Sequence, residues 1–314
     1  MRPNECQFPS LKSIAEGNAQ LPLRGRLIRF IRNRLSLRQV QALRRCAYAA
    51  TATWGPLNGN AEPVAIVQAE PLQAGDWVRV RSQKEIIGTL DSTRKLKGCS
   101  FMTANGMDKY CGTIQRVLQP MTRFVNECDM HSIKKCKGLV LLDGVMCKGG
   151  TRLGRCDRGC YMFWREEWLE KLKAPLPLSQ DQVSGQCTKD ESSSLAANSV
   201  AARPVRLGQA EFLQTGDLVR VRPKAEIGAT LDSERKLKGC CFMDVMVPYC
   251  GTVHRVLQPM TRFIDEEDGC MAKNCNGLVL LEDVRCSGDT SLGHCDRTCL
   301  LFWRMEWLEK LAEE

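Results

Sequence analysis

Cysteines recur in this sequence at spacings that suit metal binding and thiol chemistry. The chain has 314 residues and 18 cysteines. Six cysteines occupy matching places in two similar halves of the chain, as Cys99/Cys240, Cys111/Cys250, Cys136/Cys275, Cys147/Cys286, Cys156/Cys295 and Cys160/Cys299. The last three pairs form a Cys-x8-Cys-x3-Cys pattern in a glycine-rich stretch. Thiolates arranged in this way could hold a metal ion or take part in disulfide exchange.

We predict one structural zinc ion in each half, held by four thiolates. A cysteine in a predicted strand would join the three of the pattern, and a helix predicted to begin near them would lower their pKa values. An all-cysteine tetrahedral site suits zinc. The predicted ligands are Cys111, Cys147, Cys156 and Cys160 in the first half and Cys250, Cys286, Cys295 and Cys299 in the second.

Three other states of these cysteines stay open, namely disulfides, reduced buried thiols, and iron–sulfur or redox chemistry. Disulfides require an oxidising compartment. Six cysteines without a match in the other half would be unusual there: Cys6, Cys46, Cys128, Cys187, Cys241 and Cys270. Cys136 and Cys275 precede a predicted strand and could replace one ligand.

The two halves are tandem copies of one module. From Pro63–Cys99 to Pro204–Cys240, 25 of 37 positions match, and from Cys111–Lys173 to Cys250–Ala312, 40 of 63 match. About 110 residues suffice for an independent core. The sequence predicts a basic leader at 1–62, module 1 at 63–173, a flexible linker at 174–203 and module 2 at 204–314.

Charge is distributed unevenly along the chain. The leader carries +7, module 1 +7 and module 2 −4. An arginine-rich, acid-poor leader with an amphipathic stretch is typical of an organellar transit peptide or of a disordered basic arm. No secretory signal core and no run of 18 apolar residues occur, so we expect an intracellular protein, cytoplasmic or organellar, without a membrane span. We also expect the leader to be dispensable for the folding of either module.

Each module is predicted to be mainly β with a small SH3-like barrel. Gly75–Arg81 reads as a turn and a half-buried strand, and Tyr110–Leu118 and Gly138–Leu142 read as further strands. Trp164 and Trp168, four residues apart, predict an amphipathic helix from about 160 to 172 that closes the module after the cysteine-rich loop.

These motifs resemble a small bacterial cysteine-rich module of uncharacterised function, with the pattern GDxVRV…YCG…CxxxC…FWxEAWL. The resemblance covers both copies, but neither the leader nor the linker. It implies a fold and a set of cysteines, namely those predicted above as zinc ligands. A further cysteine of the pattern is absent from Gln119–Phe124 and from its copy in module 2.

The sequence favours a binding protein over an enzyme. No histidine is matched by a histidine in the other module, and phosphate-loop, nucleophile-elbow and His-Glu-x-x-His motifs are absent. Asp76 and Asp217 are expected to cap turns. We predict a non-enzymatic, zinc-stabilised tandem scaffold for a protein partner, with a contact between its oppositely charged modules. The basic leader and module 1 could also bind nucleic acid. The alternative is a thiol-redox or metal-handling protein that uses Cys156 and Cys160.

Overall fold

The structure is a computed structural model that describes residues 6–17, 19, 30, 34, 39, 70–91, 93–126, 132–151, 154–172, 212–265, 271–290 and 292–311. The linker and most of the predicted leader lie outside these residues. In the described part of the chain, no helix is both long enough and apolar enough to span a bilayer.

The described chain is mainly β. The strands of module 1 are β1 Trp77–Val80, β2 Lys95–Leu96, β3 Cys99–Ser100, β4 Ile114–Val125, β5 Ile133–Leu142, β6 Gly150–Thr151, β7 Gly154–Arg155, β8 Trp164–Arg165 and β9 Leu169–Lys171. Those of module 2 are β10 Leu218–Val221, β11 Lys236–Leu237, β12 Cys240–Cys241, β13 Val253–Asp265, β14 Met271–Arg285, β15 Asp289–Thr290, β16 Gly293–His294, β17 Leu300–Arg304 and β18 Leu308–Lys310.

The helices whose bounds lie within the described residues are short. The α-helices among them are α1 Leu11–Ile14, α2 Gln83–Gly88 and α3 Lys224–Ala229. The 3-10 helices among them are Phe8–Ser10, Thr103–Asn105, Met107–Tyr110, Glu166–Trp168, Asp244–Tyr249 and Met305–Trp307.

Each module contains one five-stranded antiparallel sheet, and the two sheets have the same strand order. The order is β8-β5-β4-β1-β9 in module 1 and β17-β14-β13-β10-β18 in module 2. Strands β8 and β9 lie at opposite edges, although only the 3-10 turn at 166–168 separates them in sequence. The sheet therefore curls until its two edges approach each other. Among the described residues, strand pairing does not close into a ring.

The predicted opening of the module is confirmed. Val78 and Val80 are fully buried, whereas Arg79 between them is exposed. The carboxylate of Asp76 accepts a hydrogen bond from the backbone N–H of Gln73 at 2.8 Å, which caps the turn before β1. Alternating burial and a turn-capping carboxylate thus fix the first strand.

The predicted closing helix is wrong in both modules. Residues 160–172 contain β8, the 3-10 turn and β9 instead. Trp164 and Trp168 are both fully buried, because a strand–turn–strand path brings residues four apart to the core just as a helix does. Trp164 lies opposite Val140 of β5, and such cross-strand contacts stabilise aromatic residues in strands.

Stability is expected to fall as the pH is lowered from about 4.5 towards 2. Burial alone would raise the pKa of Glu167, but hydrogen bonds from Arg165 and Lys97 outweigh it and lower that pKa to about 2. Glu306 beside Arg304 also has a pKa of about 2. The unfolded chain takes up these protons first, so each carboxylate contributes about 3 kcal/mol above pH 4.5 that is lost towards pH 2.

Urea unfolding at pH 5 and pH 3 measures this contribution. The double variant Glu167→Gln/Glu306→Gln should lose stability at pH 5 and respond less to acid than the parent. Glu170→Gln, at an exposed ion pair with Arg79, is the control and should behave like the parent. Equal acid sensitivity of the parent and the double variant would contradict the assignment.

Candidate interaction site between the modules

The Cys-x8-Cys-x3-Cys pattern forms a compact loop in each module, here called the cysteine loop (147–160 in module 1, 286–299 in module 2). The backbone N–H of Cys147 donates to the carbonyl of Cys160 at 2.8 Å and closes the base of the first loop. Gly149 has a φ of +70°, and a Cβ there would lie 2.0 Å from the carbonyl oxygen of Cys156. Only glycine fits this crossing point, so the glycine-rich composition is what allows the loop to be compact.

Asp157 carries the first cysteine loop into module 2. Its side chain is 2% exposed. One carboxylate oxygen accepts hydrogen bonds at 3.0 Å from the backbone N–H groups of Thr261 and Arg262 and from the Thr261 hydroxyl. The Asp157 N–H donates to the carbonyl of Arg262 at 2.8 Å, and its own carbonyl accepts from the Gln258 side chain at 2.6 Å. Both main chain and side chain of Asp157 therefore bind module 2.

Asp296 makes the same contact in the opposite direction. Its carboxylate accepts from the N–H groups of Thr122 and Arg123 at 2.7 and 2.9 Å and from the Thr122 hydroxyl at 2.9 Å. Its carbonyl accepts from the Gln119 side chain at 2.6 Å. Equivalent residues thus contact each other reciprocally, as in the isologous interface of a twofold dimer.

The receiving backbone is a β-bulge in each module. The pairing of β4 with β5 shifts register between Met121 and Arg123, and that of β13 with β14 shifts between Met260 and Arg262. A bulge leaves N–H groups outside the strand ladder, and here the aspartate of the other module accepts from them. The signal in the sequence was the nine-residue identity of Arg116–Phe124 with its copy, together with the repeated Cys-Asp-Arg triplet.

Asp296 remains ionised at neutral pH in this interface. Burial tends to raise its pKa, but the N–H groups of Thr122 and Arg123 and the hydroxyl of Thr122 outweigh that effect and lower it. Hydrogen bonds to an ionised acceptor are stronger than those to a neutral one. The contact therefore joins the modules through a charge-assisted network rather than through attraction between exposed faces.

The structure places three of the four predicted zinc ligands of module 1 in one loop. Cys111, the fourth, is not in a strand but in the turn after the 3-10 helix Met107–Tyr110. In the part of the chain that the structure describes, no group of three or more Cys, His, Asp and Glu residues is arranged to hold a metal ion. Cys147, Cys156 and Cys160 thus share a loop without forming a coordination sphere with Cys111.

In module 2, a cysteine that the sequence left unassigned joins the cysteine loop. An apolar pocket there is lined by Cys6, Cys286, Cys295 and Cys299, but not by the predicted ligand Cys250. Burial raises the pKa of Cys6 to about 12, and the nearby Cys286 and Cys295 add to that shift. Cys6 is therefore a neutral thiol, brought to the loop by a distant part of the chain.

No protein-family model matches this chain. A search of curated proteins likewise found none similar to it. Function must therefore be inferred from the geometry of the interface, the cysteine loops and the segment that carries Cys6.

That segment, here called the N-terminal segment (residues 6–17 and 19), packs on module 2. Gln7 is buried, with 4% of its surface exposed. Its side-chain amide donates to the carbonyls of Phe302 and Cys241 at 2.9 and 3.1 Å, and its side-chain oxygen accepts from the Phe302 N–H at 2.7 Å. Gln7 thus satisfies backbone groups beside β17 and β12.

The N-terminal segment also extends the core and the sheet of module 2. Leu11 and Ile14 are 5% and 4% exposed and belong to the core of that module. Backbone hydrogen bonds join Glu16 and Gly17 to Asn274, and Ala19 to Ala272, in antiparallel order. The expectation that residues 1–62 are dispensable for folding is therefore corrected for this segment, which the sequence could not connect with a site almost 300 residues away.

Proposed function

We propose that this chain is a non-enzymatic tandem scaffold whose two modules form an internal pseudo-symmetric pair and whose surface binds a protein partner. The observation that carries the proposal is the reciprocal insertion of Asp157 and Asp296 into the bulge of the opposite module. This contact recognises main-chain N–H groups, as peptide-binding modules commonly do. A cysteine loop is thereby a docking element.

An SH3-like barrel is the fold that we propose for each module. The support is the strand order, with β8 and β9 at opposite edges and a single 3-10 turn between them. A curled five-stranded sheet of this kind suits a small barrel. Such barrels are common frames for binding sites on their loops and edges.

Structural zinc, one ion per module, remains part of the proposal, on the strength of the cysteine spacing. Zinc requires sulfur atoms at roughly 2.3 Å, so the thiols of each cysteine loop would have to converge further. Elemental analysis of the purified full chain is expected to give two zinc ions per molecule, and Cys156→Ser should halve that number. Folded protein that is free of metal would remove zinc from the proposal and leave the scaffold.

The thiol-redox alternative is less well supported by the environment of Cys156. Burial raises its pKa above the ordinary value, and backbone hydrogen bonds from Arg158 and Ile264 and the charge of Arg158 only partly oppose that effect. Redox-active cysteines need a lowered pKa. We expect slow alkylation of Cys156 by iodoacetamide at pH 7, followed by peptide mass spectrometry. Fast alkylation would favour the redox function and count against the scaffold.

Organellar targeting by the leader, and binding of nucleic acid by the leader and module 1, stay predictions. The arginine-rich stretch on which both depend lies almost entirely outside the described residues. The same is true of the linker.

A further inference from the structure

We infer that module 1 carries a peptide-binding groove equivalent to the one that the N-terminal segment fills in module 2, and that this groove binds an acidic segment of another protein. The inference rests on the proposed binding function and names the site and the partner chemistry for it. The expected ligand has a glutamine followed by an aromatic residue and proline, then a short turn with two aliphatic residues three apart, as in Gln7–Ile14.

Equivalent residues differ in exposure where the N-terminal segment covers only one module. Met243 of module 2 is 4% exposed, whereas its equivalent in module 1, Met102, is 39% exposed. Phe302 is 1% exposed, whereas Phe163 is half-buried. No described residue covers Met102 as the N-terminal segment covers Met243. The ring of Phe163 lies 5.5 Å from that of Phe124, and the Arg297 guanidinium lies 5.4 Å from its centroid, so a ligand would have to displace this exchangeable side chain. The apolar surface of module 1 is therefore open at Met102 and covered only by an arginine side chain at Phe163.

The anchoring features of the groove are the same in both modules. Gln7 binds the main chain of Phe302, and Phe163 supplies the same backbone groups in module 1. A Cβ on Gly239 would lie 2.2 Å from the carbonyl oxygen of Ser13, so the segment passes directly over this glycine. A Cβ on its equivalent, Gly98, would have nothing within 4 Å. Module 1 therefore has the same backbone groups to bind a glutamine side chain and free space above Gly98 for the ligand's main chain.

The strand edge is also available in module 1. In module 2, residues 272–274 of β14 pair with the N-terminal segment on the side away from β13. The equivalent residues of β5, 133–135, pair with β4 on one side and have no strand partner among the described residues on the other. Cys275 is 5% exposed beneath the paired edge, whereas Cys136 is half-buried. An added strand is a common mode of peptide recognition.

Charge at this edge indicates the class of partner. Lys134, Lys135 and Lys137 are exposed along β5, whereas the last two are replaced by asparagines in β14. A segment paired along β5 would place its side chains among three lysines, which favours acidic residues. The chain's own N-terminal segment is already held by module 2, so we assign the groove to a different protein.

The test uses the full chain and a fluorescein-labelled peptide with the sequence of residues 4–20. Fluorescence anisotropy should show saturable binding of one peptide per chain. Gly98→Ala and Ser100→Arg obstruct the groove of module 1, because Gly98 is the equivalent of Gly239 and Ser100 that of Cys241, whose carbonyl Gln7 binds. Each should weaken binding about tenfold or more, as should Gln7→Ala in the peptide. A peptide with Lys12→Glu should bind more tightly, because of the lysines on β5.

The matched control is Gly144→Ala, which also has a positive φ and open space around an added Cβ, but lies beyond the end of β5 that is remote from Ile133. Peptide binding that survives Gly144→Ala and is lost in Gly98→Ala or in a folded Ser100→Arg supports the inference. Absence of binding, or equal loss of binding in all three variants, overturns it. A concentration-dependent dimer of the full chain that Ser100→Arg abolishes would assign the groove to a second copy and also overturn it. Each of these outcomes is independent of the thiol reactivity that tests the scaffold function.

Discussion

The double variant Asp157→Ala/Asp296→Ala is expected to separate the two modules while leaving each one folded. Each buried carboxylate accepts three hydrogen bonds from a bulge that has no other acceptor in the strand ladder. Loss of a charged acceptor and exposure of its donors costs about 3 kcal/mol per aspartate. Small-angle scattering should show an increase in the radius of gyration, and the amide protons of Thr122 and Thr261 should exchange faster.

Matched controls separate the interface from general effects. Asp157→Asn/Asp296→Asn keeps an acceptor oxygen and should give an intermediate result, whereas Glu170→Gln should change nothing.

The effect of salt on the dimensions of the protein also tests the nature of the contact. The sequence predicts a contact between oppositely charged modules, and a contact of exposed charges would loosen as salt rises, but a buried network is screened much less. We therefore expect unchanged dimensions of the parent protein at high salt. An alanine double variant with the parent's dimensions and exchange rates would contradict the docking role.

The double variant Leu11→Ala/Ile14→Ala is expected to destabilise module 2 selectively. Both side chains lie in the core of that module. Truncation of a buried Leu or Ile to Ala costs about 2–5 kcal/mol each, so the pair should cost about 5 kcal/mol or more. Hydrogen exchange during urea titration, followed in peptides from each module, should show earlier opening of β13, β14 and β17 and an unchanged response of β4 and β5.

Lys12→Ala lies on the exposed side of the same short helix and is the control for this variant. It should leave both modules as stable as in the parent. Equal destabilisation of the two modules, or none, would show that the N-terminal segment is not part of the core of module 2.

Features encoded within a few residues could be predicted from the sequence. The alternation around Val78 and Val80 and the turn at Asp76 predict β1 correctly, and the glycine-rich stretch between Cys147 and Cys160 predicts a loop there. The spacing of Trp164 and Trp168 failed, because it is compatible with a helix and with a strand–turn–strand path. Cys111 was placed in a strand that begins three residues later, at Ile114.

Features that depend on a distant partner could not be predicted. The sequence of Gln119–Arg123 is that of an ordinary strand and gives no sign of the register shift. The role of this bulge is evident only in the structure, where Asp296 accepts hydrogen bonds from its N–H groups. Cys6 and Gln7 belong to a segment without similarity to either module. The contact of Gln7 with Phe302 spans 295 residues, and a contact between two such distant residues produces no periodic pattern in the sequence. The candidate groove of module 1 could not be predicted either, because it is identified by comparison with the equivalent surface of module 2, which the N-terminal segment covers.

The contact between Gln7 and Phe302 also sets the order in which the protein can be completed. The two residues are 295 positions apart, so at ribosomal speeds the segment synthesised first waits roughly 15–60 s for the strand that receives it. Module 1 can fold on the ribosome within that interval, whereas module 2 cannot complete its core until nearly the whole chain has emerged. Truncated products that end before β17 would therefore leave Leu11, Ile14 and the half-built core of module 2 exposed to quality control.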